Sequence, residues 1–274
     1  MSIKDKTIVI AEIGENHLGN IDMAKVMIDQ VAESGADIAK FQSYLGSDVR
    51  EDDPEREWFG RVALTNDMHI ELKEYALAKG IEFMSSPFSV ERAKLLCETL
   101  GLRKIKIASS EMTNHALLDY VNDYADVVFM STGMANVEEI AESLEHLEKV
   151  DDIYILHCVT QYPCNDDDAN LLAIEALKKA FPQHHIGYSD HTLGMVAPIA
   201  AVALGAEAVE KHYTISHTLP GTDHILSLSP EQFRDMIVQI RRLEDMRGFP
   251  EKAPRPSEMK IRDMVRSRWL KDRG

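Results

Sequence analysis

Short apolar, β-branched runs alternate with longer amphipathic segments along nearly the whole chain. The runs are "TIVIAEIG" (7–14), "IAKFQSY" (38–44), "FMSSPF" (83–88), "KIKIAS" (104–109), "VVFMSTG" (127–133), "IYILHCV" (153–159), "HIGYSDH" (185–191) and "AVEKHYT" (208–214). Each has the length of a strand. Between them lie helical patterns with legible ends. Asn20 opens one that Gly35 closes, Asn66 and Gly80 bracket a second, Ser89 and Gly101 a third, and Asn136 with Glu139 reads as a capping-box variant. A last helix, "SPEQFRDMIVQIRRLEDM", follows the eighth run. Eight strand–helix units in this length predict an α/β fold, a (β/α)8 TIM barrel. A doubly wound open sheet is the alternative, but it usually carries fewer strands, and no Gly-rich dinucleotide turn follows the first run.

The barrel is expected to occupy residues 1–247. Residues 248–274 are Pro-punctuated, then basic and amphipathic. They predict a solvated helix that lays Met264, Val265 and Trp269 on the barrel or on a partner subunit.

Composition narrows the function classes. At 45% hydrophobic and 28% charged, the chain is ordinary for a globular protein, and no apolar run approaches a membrane span. The start has no signal-peptide layout, so a cytoplasmic protein without membrane association is expected. A formal charge of −16 argues against nucleic acid as a partner, because phosphates demand a basic face. It also makes any lysine inside a pocket notable. Cys97, Cys158 and Cys164 form neither a metal spacing nor an even disulfide set, and Cys97 sits among helix-core residues.

Barrel enzymes keep their chemistry at the C-terminal ends of the strands. Here every strand end is polar: Glu12 and Asn16; Lys40 and Gln42; Ser85 and Ser86; Lys106, Ser109, Ser110 and Glu111; Ser131 and Thr132; Thr160 and Tyr162; Ser189 and His191; Glu210 and His212. Ser189, Asp190 and His191 resemble the parts of a nucleophilic triad, but strand alternation puts Asp190 on the face opposite the other two. Ser189 and His191 are therefore expected to face the mouth and Asp190 to brace. Lys40 and Lys106 with many hydroxyls, and Gly133 permitting close backbone approach, suit a phosphate or carboxylate. His191 and His212, on adjacent strands, suit a divalent metal with open positions. Glu12 and Glu210 are candidates to polarise a substrate hydroxyl or orient a histidine. His17 is a candidate for the mouth. His69, His146, His184 and His185 read as surface positions, and the acidic stretch 48–57 as a solvated excursion in the place of a lid.

Nine motifs, "IAEIGENHLGN", "AKFQSY", "MSSPFS", "KIASSEM", "STGMA", "HCVTQYP", "GYSDHT", "EKHYT" and "PGTDH", resemble in order and spacing the sialic acid (N-acetylneuraminate) synthase family, with its pseudaminic and legionaminic acid synthases. The resemblance runs from about residue 7 to 245. It implies a barrel that condenses phosphoenolpyruvate with an N-acetylated aldose, using a divalent metal, usually manganese or magnesium. By resemblance, Lys40 and Lys106, with Ser86, Ser109, Ser131 and Ser189, would hold phosphoenolpyruvate. His191 and His212 would bind the metal that polarises the sugar aldehyde. Glu12, Gln42, Tyr162 and Asp223 would contact the open-chain sugar, and Glu111 would handle the water. Thr160 stands where some members have Asn, which keeps an oxygen but shortens the reach.

Family members usually carry a C-terminal antifreeze-like domain that, in a homodimer, sets an arginine over the partner's site. The tail 248–274 is read as no such domain. The resemblance then implies an arginine that a different sugar does not need, a separate chain that supplies the cap, or Arg266 or Arg268 standing in. Two rival readings stay open. One is a Schiff-base pyruvate aldolase built on Lys106, or another 3-deoxy-ketoacid synthase. The other is a non-catalytic sugar-binding barrel.

Overall fold

Eight parallel strands form one sheet in the computed structural model, which describes residues 6–248 and 250–268. They are β1 (Ile8–Gly14), β2 (Ile38–Ser43), β3 (Glu82–Pro87), β4 (Lys104–Ile107), β5 (Val127–Ser131), β6 (Asp152–Cys158), β7 (His185–Asp190) and β8 (Ala208–His212). All eight lie within two residues of the predicted runs. The hydrogen-bonded order is β3-β2-β1-β8-β7-β6-β5-β4. β3 and β4 face each other across the remaining seam, where Lys104 Nζ meets Glu82 Oε2 at 2.7 Å. The architecture is the expected (β/α)8 barrel.

Helices α1 (Ile21–Ser34), α2 (Arg56–Val62), α3 (Asn66–Ala78), α4 (Val90–Lys94), α5 (His115–Asn122), α6 (Val137–Glu145), α7 (Ala173–Ala180), α8 (Val196–Ala203), α9 (Pro230–Met246) and α10 (Pro256–Ser267) fill the intervals. Their ends follow capping chemistry. The Asn20 side chain accepts from the N–H groups of Asp22 and Met23, and Gly35 closes α1 at φ +86°. The predicted capping box forms: Glu139 N–H donates to Asn136 Oδ1 and Asn136 N–H to Glu139 Oε2, both at 2.9 Å. One start differs by a residue. Thr65 caps α3, and Asn66 instead accepts from Arg92 Nη1 at 2.8 Å, tying α3 to α4.

The bore of the barrel changes character over two residues of rise. Its lower layer is apolar: Ile10, Ile38, Met84, Phe129, Leu156 and Ala208, all buried. Two positions further along the same strands, on the same face, stand Glu12, Lys40, Ser86, Ser131, Cys158 and Glu210. Gly187 leaves room in the lower layer, since a Cβ there would lie 2.4 Å from Leu156 Cδ2. The apolar layer plugs the barrel and forms a floor under the polar one. The main core lies outside the strands, where α1, α5, α8 and α9 lay buried apolar faces on the sheet.

The first strand and the last barrel helix meet beneath this floor. Arg241 Nη1 on α9 donates to Thr7 O at 2.8 Å, and Thr7 N–H donates to Glu244 Oε1 at 2.8 Å. Arg241 also reaches Asp37 at 3.1 Å. The tail forms the expected helix, and of its two expected places the barrel is not the one it takes. α10 has no buried residue, with Met264 56% and Val265 45% exposed, so it does not lie on the barrel. The charged, proline-bearing stretch 250–255 that precedes it is exposed throughout and holds it off. Trp269 lies outside the described residues.

Candidate active site

A cavity of about 200 Å³ opens above the polar layer. Twelve of the fourteen residues to which the resemblance gives a place line it: Glu12, Lys40, Gln42, Ser86, Lys106, Ser109, Ser131, Thr160, Tyr162, Ser189, His191 and His212. Strand register brings them together. Glu12 is paired across the ladder with Lys40, and Ser189 with Glu210.

Four buried charges form its base. Lys40 Nζ lies 2.6 Å from Glu12 Oε2 and 3.4 Å from Glu210 Oε2, and Lys106 Nζ lies 3.6 Å from Glu210 Oε1. Glu210 therefore sits between the two ammonium groups, and Ser189 Oγ donates to it at 2.9 Å. Burial pushes the Glu210 carboxyl up, but Lys106 and Lys40 outweigh burial and hold it down at about 2. Burial also opposes charge on Lys40, where Glu12 and Glu210 more than compensate and raise its pKa. Lys106 is less well matched: burial lowers it and Glu210 only partly restores it. Its ammonium donates to Ser131 Oγ at 2.7 Å and to Ile107 O at 3.1 Å. Beside it, Gly133 N–H donates to Ser109 Oγ at 3.0 Å, and a Cβ on Gly133 would meet Thr160 Oγ1 at 2.1 Å. Only glycine fits there.

The two imidazoles stand on the neighbouring strand ends with ring centroids 5.3 Å apart. His191 Nδ1 pairs with Val159 O at 2.7 Å, which fixes its proton on that nitrogen and leaves the Nε2 lone pair free. Burial lowers the His191 pKa, and burial together with His191 and Lys40 holds His212 well below the ordinary histidine value. Both rings are neutral, the form that ligates metals. His212 Nδ1 is buried without a hydrogen-bond partner, and Asp223 Oδ2 is 3.4 Å away. These donors suit a divalent ion. Among the described residues no group of three or more His, Cys, Asp or Glu side chains converges as a metal shell, so substrate and water would complete the coordination.

Two selected residues stand apart. Asp223 is outside the lining and reaches the site through His212; burial, with Glu15 and Glu12, pushes it up to about 7. Glu111 does not line the cavity either. Its carboxylate accepts from Asn114 Nδ2 at 2.9 Å at the start of α5, so it is turned to the helix start rather than to the cavity. Two histidine readings also change. His17 is buried against Phe41 and outside the lining, and His69, expected at the surface, is wholly buried, its Nδ1 paired with Thr65 O at 2.9 Å. Asp190 braces as expected, accepting from Tyr188 OH, Thr192 N–H and Lys211 Nζ on the outer face of the sheet. The excursion 48–57 is exposed, and after it Trp58 Nε1 donates to Glu15 Oε1 at 3.0 Å.

Glu210 has a more central place than its loose role in the sequence suggested, although "VEKH" puts it on the same face as His212. Cys158 lines the cavity as well, two positions beyond Leu156 on one face. Both follow from strand alternation. Ser110, named among the polar strand-end residues, lines the cavity too, whereas Phe88 and Met134 follow their strands without that signal.

A (β/α)8 barrel with an apolar floor and a mouth of paired lysines, carboxylates and neutral imidazoles is an enzyme scaffold built for anionic substrates. Residues 27–252 match the NeuB family, and the chain belongs to that family. It is 38% identical over 280 residues to the N,N'-diacetyllegionaminic acid synthase of Campylobacter jejuni, covering 95% of this chain and 83% of that one. It is 32% identical over 266 residues to human N-acetylneuraminate-9-phosphate synthase, covering 92% and 74%. The crystal structure of an N-acetylneuraminic acid synthetase from Leptospira borgpetersenii, in complex with citrate, superimposes with a TM-score of 0.89 at 33% identity, covering 96% of this chain and 93% of that one. The chain is a sialic acid synthase-like enzyme.

Proposed function

We propose that the enzyme condenses phosphoenolpyruvate with an aldose, an N-acetylated hexosamine, and water to give a sialic-acid-like 3-deoxy-2-keto acid and phosphate. The observation that carries this reading is the convergence of Lys40 and Lys106 on one cavity with the hydroxyls of Ser86, Ser109, Ser131 and Ser189. Two buried cations and a row of donors match a ligand with both a carboxylate and a phosphate. The citrate-bound relative supports the same preference for a polyanion.

In this reading C3 of phosphoenolpyruvate attacks the aldehyde carbon of the open-chain sugar. Water adds at C2, and the tetrahedral centre loses phosphate by C–O cleavage. Lys106, tethered to Ser131, and Lys40 neutralise the anion and the charge that develops on it. Glu210 favours the charged form of both ammonium groups and holds them in place. Gln42 Nε2, which donates to Glu12 Oε1 at 3.0 Å, fixes Glu12 toward the sugar; Tyr162, its ring tilted over His191 with centroids 4.0 Å apart, borders the sugar's end of the cavity with Thr160, and Asp223 acts on that end through His212. His191 and His212 would hold a divalent ion, manganese or magnesium, which when bound supplies Lewis-acid polarisation of the aldehyde oxygen. A homodimer or a separate covering chain belongs to the same proposal; the exposed Leu193, Val196 and Ile225 around the mouth support a covering surface.

The test is phosphate release from phosphoenolpyruvate with manganese across a panel of aldoses with and without acetamido groups. Release with an acetamido sugar, abolished by chelator, is expected. Silence across the panel with the protein folded, or covalent trapping of pyruvate on Lys106 by borohydride, would overturn the reading in favour of a binding barrel or a Schiff-base aldolase.

A further inference from the structure

The turn after β5 has its glycine and its side chain in unexpected places. Ala135 N–H returns to Thr132 O at 3.3 Å, closing a four-residue turn in which Met134, at the third position, has φ +69°. A turn of that form favours glycine at the third position, because a Cβ there strains the left-handed backbone. The chain instead spends its glycine one residue earlier, at Gly133, where crowding by Thr160 and Ser109 leaves no alternative. Met134 thus carries a backbone strain that a glycine would avoid. Its side chain is also 72% exposed, yet it lines the cavity. Strain and an exposed apolar group thus coincide at one residue, on the rim of a pocket whose base is charged.

We propose that Met134 is a specificity lip: its thioether side chain folds from solvent onto bound phosphoenolpyruvate and shuts water away from the Lys106 end of the cavity. The proposal rests on the phosphoenolpyruvate reading above. Methionine suits the task, since its unbranched, polarizable chain adapts to an irregular ligand surface. Loss of water around Lys106 and Ser131 strengthens their hold on the anion.

Phosphoenolpyruvate binding by calorimetry, without acceptor, tests this with three variants. Met134→Ala is expected to bind about tenfold more weakly, the loss of one buried apolar side chain. Met134→Leu should recover most of the affinity. Met134→Gly should bind as weakly as the alanine variant while melting about 2 °C higher, because the strain is relieved. A second readout is oxidation by peroxide, which transfers one oxygen to the thioether and leaves as water; phosphoenolpyruvate should slow it at Met134, as read by mass spectrometry. If the wild type binds and the alanine variant binds within twofold of it, or if the ligand leaves Met134 oxidation unchanged, the lip is overturned alone. If the wild type does not bind phosphoenolpyruvate, the functional reading fails and the lip falls with it.

Discussion

Lys211 Nζ lies 2.7 Å from Asp190 Oδ2, with both side chains wholly buried on the outer face of the sheet. Lys211 also donates to Thr192 O, and Thr192 Oγ1 donates to Asp190 at 3.2 Å, so the pair joins β8 to the end of β7 just behind Ser189 and His191. Removing one partner would strand a charge in the core. Asp190→Asn is expected to cost about 3–5 kcal/mol in urea unfolding, whereas Asp190→Leu with Lys211→Met should recover most of that loss. A single variant as stable as wild type would show that the pair carries little.

Lys106 is expected to be indispensable for the chemistry and dispensable for folding. Lys106→Met removes one cation from the anion's end of the cavity. The change should lower kcat/KM for phosphoenolpyruvate about 10³-fold, in the range of a lost preorganised donor. Circular dichroism should be unchanged. Activity within tenfold of wild type would move the anion site elsewhere.

The two imidazoles should act as a unit. His191→Ala and His212→Ala are each expected to abolish metal-stimulated turnover, with the double variant no worse than either single one. Manganese binding, followed by electron paramagnetic resonance, should be lost in parallel. Full metal binding in either single variant would remove that ring from the coordination.

Acid should unmask His69. Burial holds its pKa down at about 4, against 6.5 in the unfolded chain. Between those values the unfolded state binds the extra proton, so the stability tied to the neutral ring is present above pH 6.5 and lost as pH falls toward 4. That loss amounts to about 3 kcal/mol. Asp223, pushed up to about 7, acts with the opposite sign over the same window, so the measurement must be differential. The stability cost of His69→Gln should shrink by about 3 kcal/mol between pH 7 and pH 4. A cost independent of pH would mean that the ring does not titrate between the two states.

Strand alternation carried most of what the sequence revealed. Once "GYSDHT" is a strand end, Ser189 and His191 must share a face and Asp190 must leave it; the same rule pairs Lys40 with Gln42 and Glu210 with His212. Helix starts were readable where a side chain caps its own helix, as at Asn20 and Asn136, and shifted at Asn66, whose oxygen serves Arg92 on another helix. His69 misled because a polar ring on a helix looks solvated until Arg92 of α4 and the backbone of β2 at Gln42 close over it. The direction of Glu111 was not legible, because a loop carboxylate can turn either to the mouth or to the next helix, and only the fold decides. Met134 was out of reach altogether, since nothing local announces a left-handed residue that is not glycine.

The clasp of Arg241 and Glu244 on Thr7 fixes where the barrel's two ends leave it. α9 begins beside the mouth and descends for 17 residues, about 25 Å, to the floor. The path that leads into β1 and the path that leads out of α9 therefore emerge side by side, a barrel's height from the chemistry. A peptide joined at either end starts its course on the far side of the molecule, and a direct link between the two would need only a few residues. A circular permutant closed there and reopened on the outer helices would keep every wall of the cavity in its present order.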